Sequence, residues 1–238
     1  AEAGKLRVAV AHTTRQAKHV RRLRDAIVEE GLIGDLVEMR AFGKQDARAG
    51  GEDLMVLGSH LMDLMRLFAG DPAWCSARVL AGGRDITKAD ARQVKDNIGL
   101  VAGNEVFAHY AFSGGVNATF NSSQRLREST GFWGLELTGS KGAARINCDL
   151  PPNAFLRTLS KDGTQSWAPF DPETVKVQDK HPLDPVADWL EAVRDNREPV
   201  CSLKNAACAV EMVCAVYAST LSGSRASFPL RARRHPLE

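Results

Sequence analysis

Apolar positions recur along this chain at two periods, and the switches between them mark out the elements. Leu6 to Ala11 is a short apolar run behind Gly4 and reads as a buried strand that needs a sheet to join. From Gln16 to Glu30, Val20, Leu23 and Ile27 return at helical spacing among charged residues, and Gly31 supplies a stop, which predicts an amphipathic helix. Its basic stretch Lys18 to Arg24 reads as a solvated helix face. Leu36 to Gly43 predicts a strand. Beyond the Gly50-Gly51 break, the apolar stretch Leu54 to Phe68 predicts a helix that ends at Gly70-Asp71-Pro72. Cys75 to Leu80 then reads as a strand, and the charged segment Gly82 to Asn97 as an irregular, mobile loop.

The period of two is plainest from Val106 to Ser123, where Gly114-Gly115 divides two runs as a hairpin turn would. In the second run Val116, Ala118 and Phe120 alternate with Asn117, Thr119 and Asn121, which gives one apolar face and one of small polar groups. Leu135 to Ile146 repeats the pattern around Gly139-Ser140-Lys141-Gly142, and Phe155 to Trp167 repeats it around Lys161-Asp162-Gly163. After Pro185 the helical period returns: Val186, Trp189, Leu190 and Val193 share a face, and Ala206 to Leu221 is long and apolar. Three successive hairpins flanked by helices predict an α+β fold, an open and mostly antiparallel sheet with helices on one face.

Composition narrows the function classes. The 238 residues carry 31 Lys and Arg against 29 Asp and Glu, a net charge of +2, and 44% of them are hydrophobic. A chain of this size buries a core without disulfides or a structural metal. Balanced charge points to neither a nucleic acid nor a membrane surface as partner, and the uninterrupted apolar runs fall short of the roughly 18 residues a membrane span needs. Five cysteines at 75, 148, 201, 208 and 214, with no Cys-x-x-Cys, fit a reducing, cytoplasmic setting and offer no zinc site. The opening residues, Ala1 to Lys5, read as a cut within a longer polypeptide.

No Gly-x-Gly-x-x-Gly, Walker loop, His-Glu-x-x-His or Gly-x-Ser-x-Gly occurs, so a self-contained nucleotide site is not expected. The candidate chemistry lies in Gly51 to Asp63. On a helix His60 and Asp63 are neighbours, and Asp53 lies two turns before His60 on the same side. An imidazole held by a carboxylate is a candidate proton carrier, because it titrates near neutrality and the carboxylate fixes its tautomer. The competing reading is a core histidine with one satisfied hydrogen bond. The loop Gly43 to Arg48 reads either as a solvated charged turn or as a donor of Lys44, Asp46 or Arg48 to a cleft.

Several segments, in order, carry a family likeness: Val8-Ala-Val-Ala-His-Thr-Thr-Arg15, then Gly50-Gly-Glu-Asp53 and Leu57-Gly-Ser-His-Leu-Met-Asp-Leu64, then Leu137-Thr-Gly-Ser-Lys-Gly142, and finally Ala187-Asp-Trp-Leu-Glu-Ala-Val-Arg-Asp-Asn-Arg-Glu-Pro199. Together they resemble the Gfo/Idh/MocA family of NAD(P)-dependent oxidoreductases over residues 5 to 236. The resemblance implies a dihydrodipicolinate-reductase-like C-terminal domain over residues 16–238, preceded at residues 1–15 by the last strand of a Rossmann domain. It also implies that the glycine-rich turn for NAD or NADP, and a catalytic lysine in a Glu-Lys-Pro segment, lie upstream of this sequence. His60 matches the histidine of the family's Asp-x-Gly-x-His pattern, but Val56 stands where the aspartate would be.

On that likeness His60 and Asp63 are the expected proton-handling residues, and Arg15, Lys44, Asp46 and Asp53 the expected contacts of a small polyhydroxylated substrate. The resemblance further implies a homo-oligomer formed through the open sheet face. Two functions follow as expectations: an NAD(P)-dependent oxidoreductase of a sugar or cyclitol, with this chain alone inactive, or a non-enzymatic oligomerisation or sugar-binding module that has lost its carboxylate at position 56.

Overall fold

The computed structural model describes residues 6–126, 132–149, 153–159, 164–176, 181–232 and 234–238. The eight longer strands are β1 (Leu36–Phe42), β2 (Pro72–Ala81), β3 (Glu105–Phe112), β4 (Asn117–Ser123), β5 (Gly134–Gly139), β6 (Ala143–Asn147), β7 (Asn153–Leu159) and β8 (Gln165–Pro169). They form one sheet in the order β8-β7-β6-β5-β1-β4-β3-β2, with the short strand Ala226–Ser227 beyond β2. The helices are α1 (Lys18–Val28), α2 (Gly51–Val56), α3 (Gly58–Ala69), α4 (Pro185–Arg194) and α5 (Leu203–Ser222).

The three hairpins form as their alternation dictates, although the turn of the third, 160–163, lies outside the described residues. The sheet differs from a simple meander at β1, which runs parallel to β4 and antiparallel to β5. Strands β4 and β5 follow each other in the chain yet do not pair, because β1 lies between them. This places Met39 opposite both Ala118 and Leu137, all three fully buried, and seals the middle of the core. A non-local insertion of this kind leaves no trace in local periodicity.

Helices α3 and α5 pack on one sheet face. Leu61, Met62, Leu64 and Met65 of α3 and Met212, Val213 and Val216 of α5 are excluded from water against Tyr110, Phe120 and Leu135 of the strands. Two phenols fasten α5 in place: Tyr110 Oη donates to Met212 O at 3.1 Å, and Tyr217 Oη donates to Gly51 O at 3.3 Å. Ser202 caps α5 by accepting from Asn205 N, and Gly223, at φ 65°, ends it. By length and mean hydropathy α5 is apolar enough to cross a membrane, but in this fold it is a core helix.

Three expectations are corrected, and the face shared by Val186, Trp189, Leu190 and Val193 on α4 is found to point outward. Residues 6–11 form no strand of the sheet. They make one bridge, Ala9 to Ser202, in front of α5, and Leu6 and Ala9 are exposed. The expected helix from Leu54 to Phe68 is two helices, α2 and α3, meeting at Leu57. Helix α4 turns Val186, Leu190 and Val193 outward, because its inner side is given to Ala192 and to Asp188, whose carboxylate accepts from Val200 N at 2.7 Å and pairs with Arg197 at 2.8 Å. Finally, the segment Gly82 to Asn97 contains short strands at Arg84–Asp85 and Arg92–Gln93 and a capped 3-10 turn at Lys88–Asp90.

Candidate active site

Helix α3 begins close to the sheet because Gly58 allows it to. A Cβ there would stand 3.1 Å from the Phe120 ring. The helix therefore presents His60, in its first turn, toward the 3-10 turn Thr13–Gln16 that precedes α1. Asp63, one turn on, points to the same place. Its Oδ1 accepts from Arg15 Nη1 at 3.0 Å, and both side chains are buried.

The structure thus brings together His60, Asp63 and Arg15, and adds a residue that sequence reasoning passes over. His12, just before the 3-10 turn, sets its ring 4.9 Å from that of His60 at an interplanar angle of 53°. Its Nδ1 is 4.0 Å from Asp63 Oδ1. The only sequence signal is the run His-Thr-Thr-Arg directly after an apolar segment. The expected His60 and Asp63 couple does not form: the partner of the carboxylate is Arg15, and His60 Nδ1 is buried with no hydrogen-bond partner. A helical spacing of three permits a contact between side chains but does not choose it over a guanidinium arriving from another element.

Burial sets the proton affinities here. The His12 imidazole is pushed down to about 4 by desolvation first, and then by His60 and Arg15. Burial also lowers His60. Asp63 is pushed up to about 6 by desolvation, against the opposing pull of Arg15 and Arg66. At neutral pH both imidazoles are therefore neutral and Asp63 is ionised, so the His12 to Asp63 approach is a dipole contact, whereas Arg15 to Asp63 is an ion pair.

The other expected site residues lie elsewhere. Asp53 is fully buried at the start of α2, where its Oδ2 accepts from Ser122 Oγ at 2.5 Å and Gln45 N at 3.1 Å. Ser122 Oγ also accepts from Gly50 N at 3.0 Å, and Gly50 adopts φ 97°, a conformation suited to glycine. Asp53 therefore fastens the loop between β1 and α2. On that loop Asp46 is engaged by Arg48, through Nη2 at 2.7 Å and the backbone N at 2.9 Å, which lowers its pKa. Lys44 is exposed, 5.3 Å from the Trp133 ring centroid and 3.9 Å from Asp149. Val56 is half-buried on α2.

Among the described residues no group of three or more His, Cys, Asp or Glu side chains is placed to hold a metal ion. A dinucleotide pyrophosphate would need a glycine-rich turn leading into a helix N-terminus. Helix α1, the helix nearest the start of the chain, is preceded by His-Thr-Thr-Arg-Gln-Ala and has no side-chain cap, so it does not fit that role.

Comparison with known proteins gives a consistent picture. The family model for the GFO/IDH/MocA C-terminal domain matches residues 20–145, more than half of the chain. Among solved structures, an oxidoreductase domain protein from Kribbella flavida superposes with a TM-score of 0.69 at 19% identity, over 95% of this chain and 67% of its own. Levoglucosan dehydrogenase in complex with NADH and levoglucosan gives 0.71 at 16% identity, over 96% and 68%. The aldose-aldose oxidoreductase of Caulobacter crescentus, complexed with glycerol, gives 0.66 at 16%, over 95% and 65%. At these identities the likeness is one of fold, and this chain spans about two thirds of each neighbour. No curated protein sequence matches.

Proposed function

Because this chain belongs to the Gfo/Idh/MocA family and carries its C-terminal domain, we propose that it is the substrate and assembly part of an NAD(P)-dependent oxidoreductase acting on a sugar, a cyclitol or a similar polyhydroxylated compound. Residues 1–15 then border a dinucleotide-binding domain, and residues 16–238 form the domain described above. The observation that carries the reading is His60: a half-buried imidazole, neutral at neutral pH, whose Nδ1 has no hydrogen-bond partner among the described residues. Such a group accepts a hydroxyl proton as a carbinol is oxidised and returns it in the reverse direction. NAD or NADP, held by residues outside this chain, would supply the hydride chemistry. Arg15 and Asp63 hold the wall beside His60. Lys44, exposed beside Trp133 and Asp149, would meet a substrate only at the rim, and Asp46 and Asp53 support the loop that carries it.

Val56 favours a second reading, a non-enzymatic binding or oligomerisation module, since the position of the family pattern's aspartate has no carboxylate to offer. One experiment separates the two. The polypeptide encoded with its upstream sequence is assayed with NAD and NADP against a panel of sugars and cyclitols, alongside His60→Ala. Turnover that falls by about 100-fold to 10,000-fold in the folded variant supports the enzyme. Absence of turnover with every panel member, or a variant within a few-fold of the parent, overturns it.

A further inference from the structure

We propose that His12 is a positioning residue for His60: the two imidazoles act as one coupled pair that carries a single proton, and His60 is the member that exchanges it. This rests on the oxidoreductase reading in that it concerns the same site.

The geometry carries it. The rings come from separate elements, one before the 3-10 turn and one in the first turn of α3, and meet with centroids 4.9 Å apart and planes inclined at 53°. The backbone of His12 is held, since its N donates to Val10 O at 2.7 Å and its carbonyl accepts from Cys201 Sγ at 3.4 Å, while its ring Nδ1 has no hydrogen-bond partner and lies 4.0 Å from Asp63 Oδ1. His60, in contrast, has the His12 ring as its aromatic neighbour and no ion pair with a carboxylate among the described residues. The orientation of His60 is assigned to this ring contact, because its Nδ1 makes no hydrogen bond that would fix it.

The charges around the pair decide which ring is protonated. Arg15 faces His12 from the 3-10 turn, Asp63 faces it from α3 and itself feels Arg66, and Cys201 approaches from the segment before α5. Two imidazolium ions so close together, and largely screened from water, repel each other. On acidification Asp63 is itself neutralised near pH 6, which leaves the charge of Arg15 uncompensated before His12 could take a proton near 4. His60 lacks that adjacent cation among its perturbing groups and is charged first.

The test uses the isotope-labelled 238-residue chain, with the ring signals of both histidines followed by NMR as the pH is lowered. Two separate steps are expected, His60 first. In His60→Gln the midpoint of His12 should rise by about one pH unit or more. His12→Ala should shift the His60 ring signals toward those of an unrestrained imidazole, and His12→Phe, which keeps the stack without the nitrogens, should restore them. Amide spectra unchanged away from the site confirm folding. An unmoved His12 midpoint in His60→Gln, or unmoved His60 signals in His12→Ala, overturns the proposal. These readouts need neither substrate nor dinucleotide, so their failure leaves the oxidoreductase reading standing, and an idle parent enzyme would leave the titration unaffected.

Discussion

Arg15 Nη1 and Asp63 Oδ1 lie 3.0 Å apart across 48 residues of sequence, with side-chain exposures of only 7% and 1%. The pair clamps the 3-10 turn onto α3. Removing one member leaves a buried charge without its partner, so Arg15→Met should lower stability by about 3 to 5 kcal/mol. Replacing both, as Arg15→Met with Asp63→Leu, should recover most of that loss, because no charge then remains to be solvated. Urea unfolding of the two variants decides it: equal midpoints for single and double variants would show that the charge left behind is not what matters.

Much of this architecture is legible in the chain, because strand alternation and helix punctuation are local. The hairpin of β3 and β4, the end of α3 at Gly70 and the return to helix at Pro185 follow from neighbouring residues alone. Long-range choices are not legible. Nothing near Leu36 says that β1 will separate β4 from β5, and nothing near Asp63 says that its partner is Arg15 rather than His60. His12 escapes notice for the same reason: a histidine before a turn acquires meaning only when α3 arrives beside it. Helix geometry places Asp53 on the side of His60, whereas Gln45 N of the adjoining loop and the Ser122 hydroxyl claim its oxygen.

That loop gives the next expected outcome. Asp53 Oδ2 takes hydrogen bonds from Ser122 Oγ and Gln45 N in a site where water does not compete. In Asp53→Asn the amide oxygen can keep both donors only by setting its NH2 group at the buried Oδ1 position, where no acceptor meets it, and the expected cost is about 1 to 3 kcal/mol. Hydrogen exchange should then accelerate in residues 43–48 more than in the strands. Acceleration spread evenly over the sheet would mean that Asp53 supports the whole core rather than this loop.

The buried imidazole of His12 makes stability depend on pH with a definite sign. Its folded pKa, near 4, lies below the ordinary 6.5, so the unfolded chain binds the proton more tightly. The fold is unpenalised above 6.5 and loses stability as pH falls from there toward 4, by about 2 kcal/mol at a pH near 5. Asp63 acts in the opposite sense, since its raised pKa adds stability as pH falls through 6. His12→Gln should therefore lose less stability than the unsubstituted chain between pH 7 and pH 5. Parallel stability curves for the two proteins would show that His12 is hydrated in the fold.

The sheet face that carries no helix bears on assembly. On β3 and β4 this face presents Phe107, which is 41% exposed, with His109, Asn117, Thr119 and Asn121, and Arg78 of β2 stands opposite Phe107. Ser123, next on this side by alternation, is buried and donates to Glu105 at 3.1 Å, so the exposed part of the face ends at Asn121. An antiparallel sheet can leave such a face to water. Here the small side chains make it level, and Phe107 gives it an apolar centre, features that suit an isologous pair in which one patch meets its own copy. A dimer at tens of micromolar chain is the expected result of sedimentation equilibrium. Thr119→Arg would place two long cations across the two-fold axis and should yield monomers, whereas Val186→Ser, on exposed α4, should leave the dimer intact. A monomeric unsubstituted chain, or dissociation caused by the α4 variant instead, would move assembly away from this face.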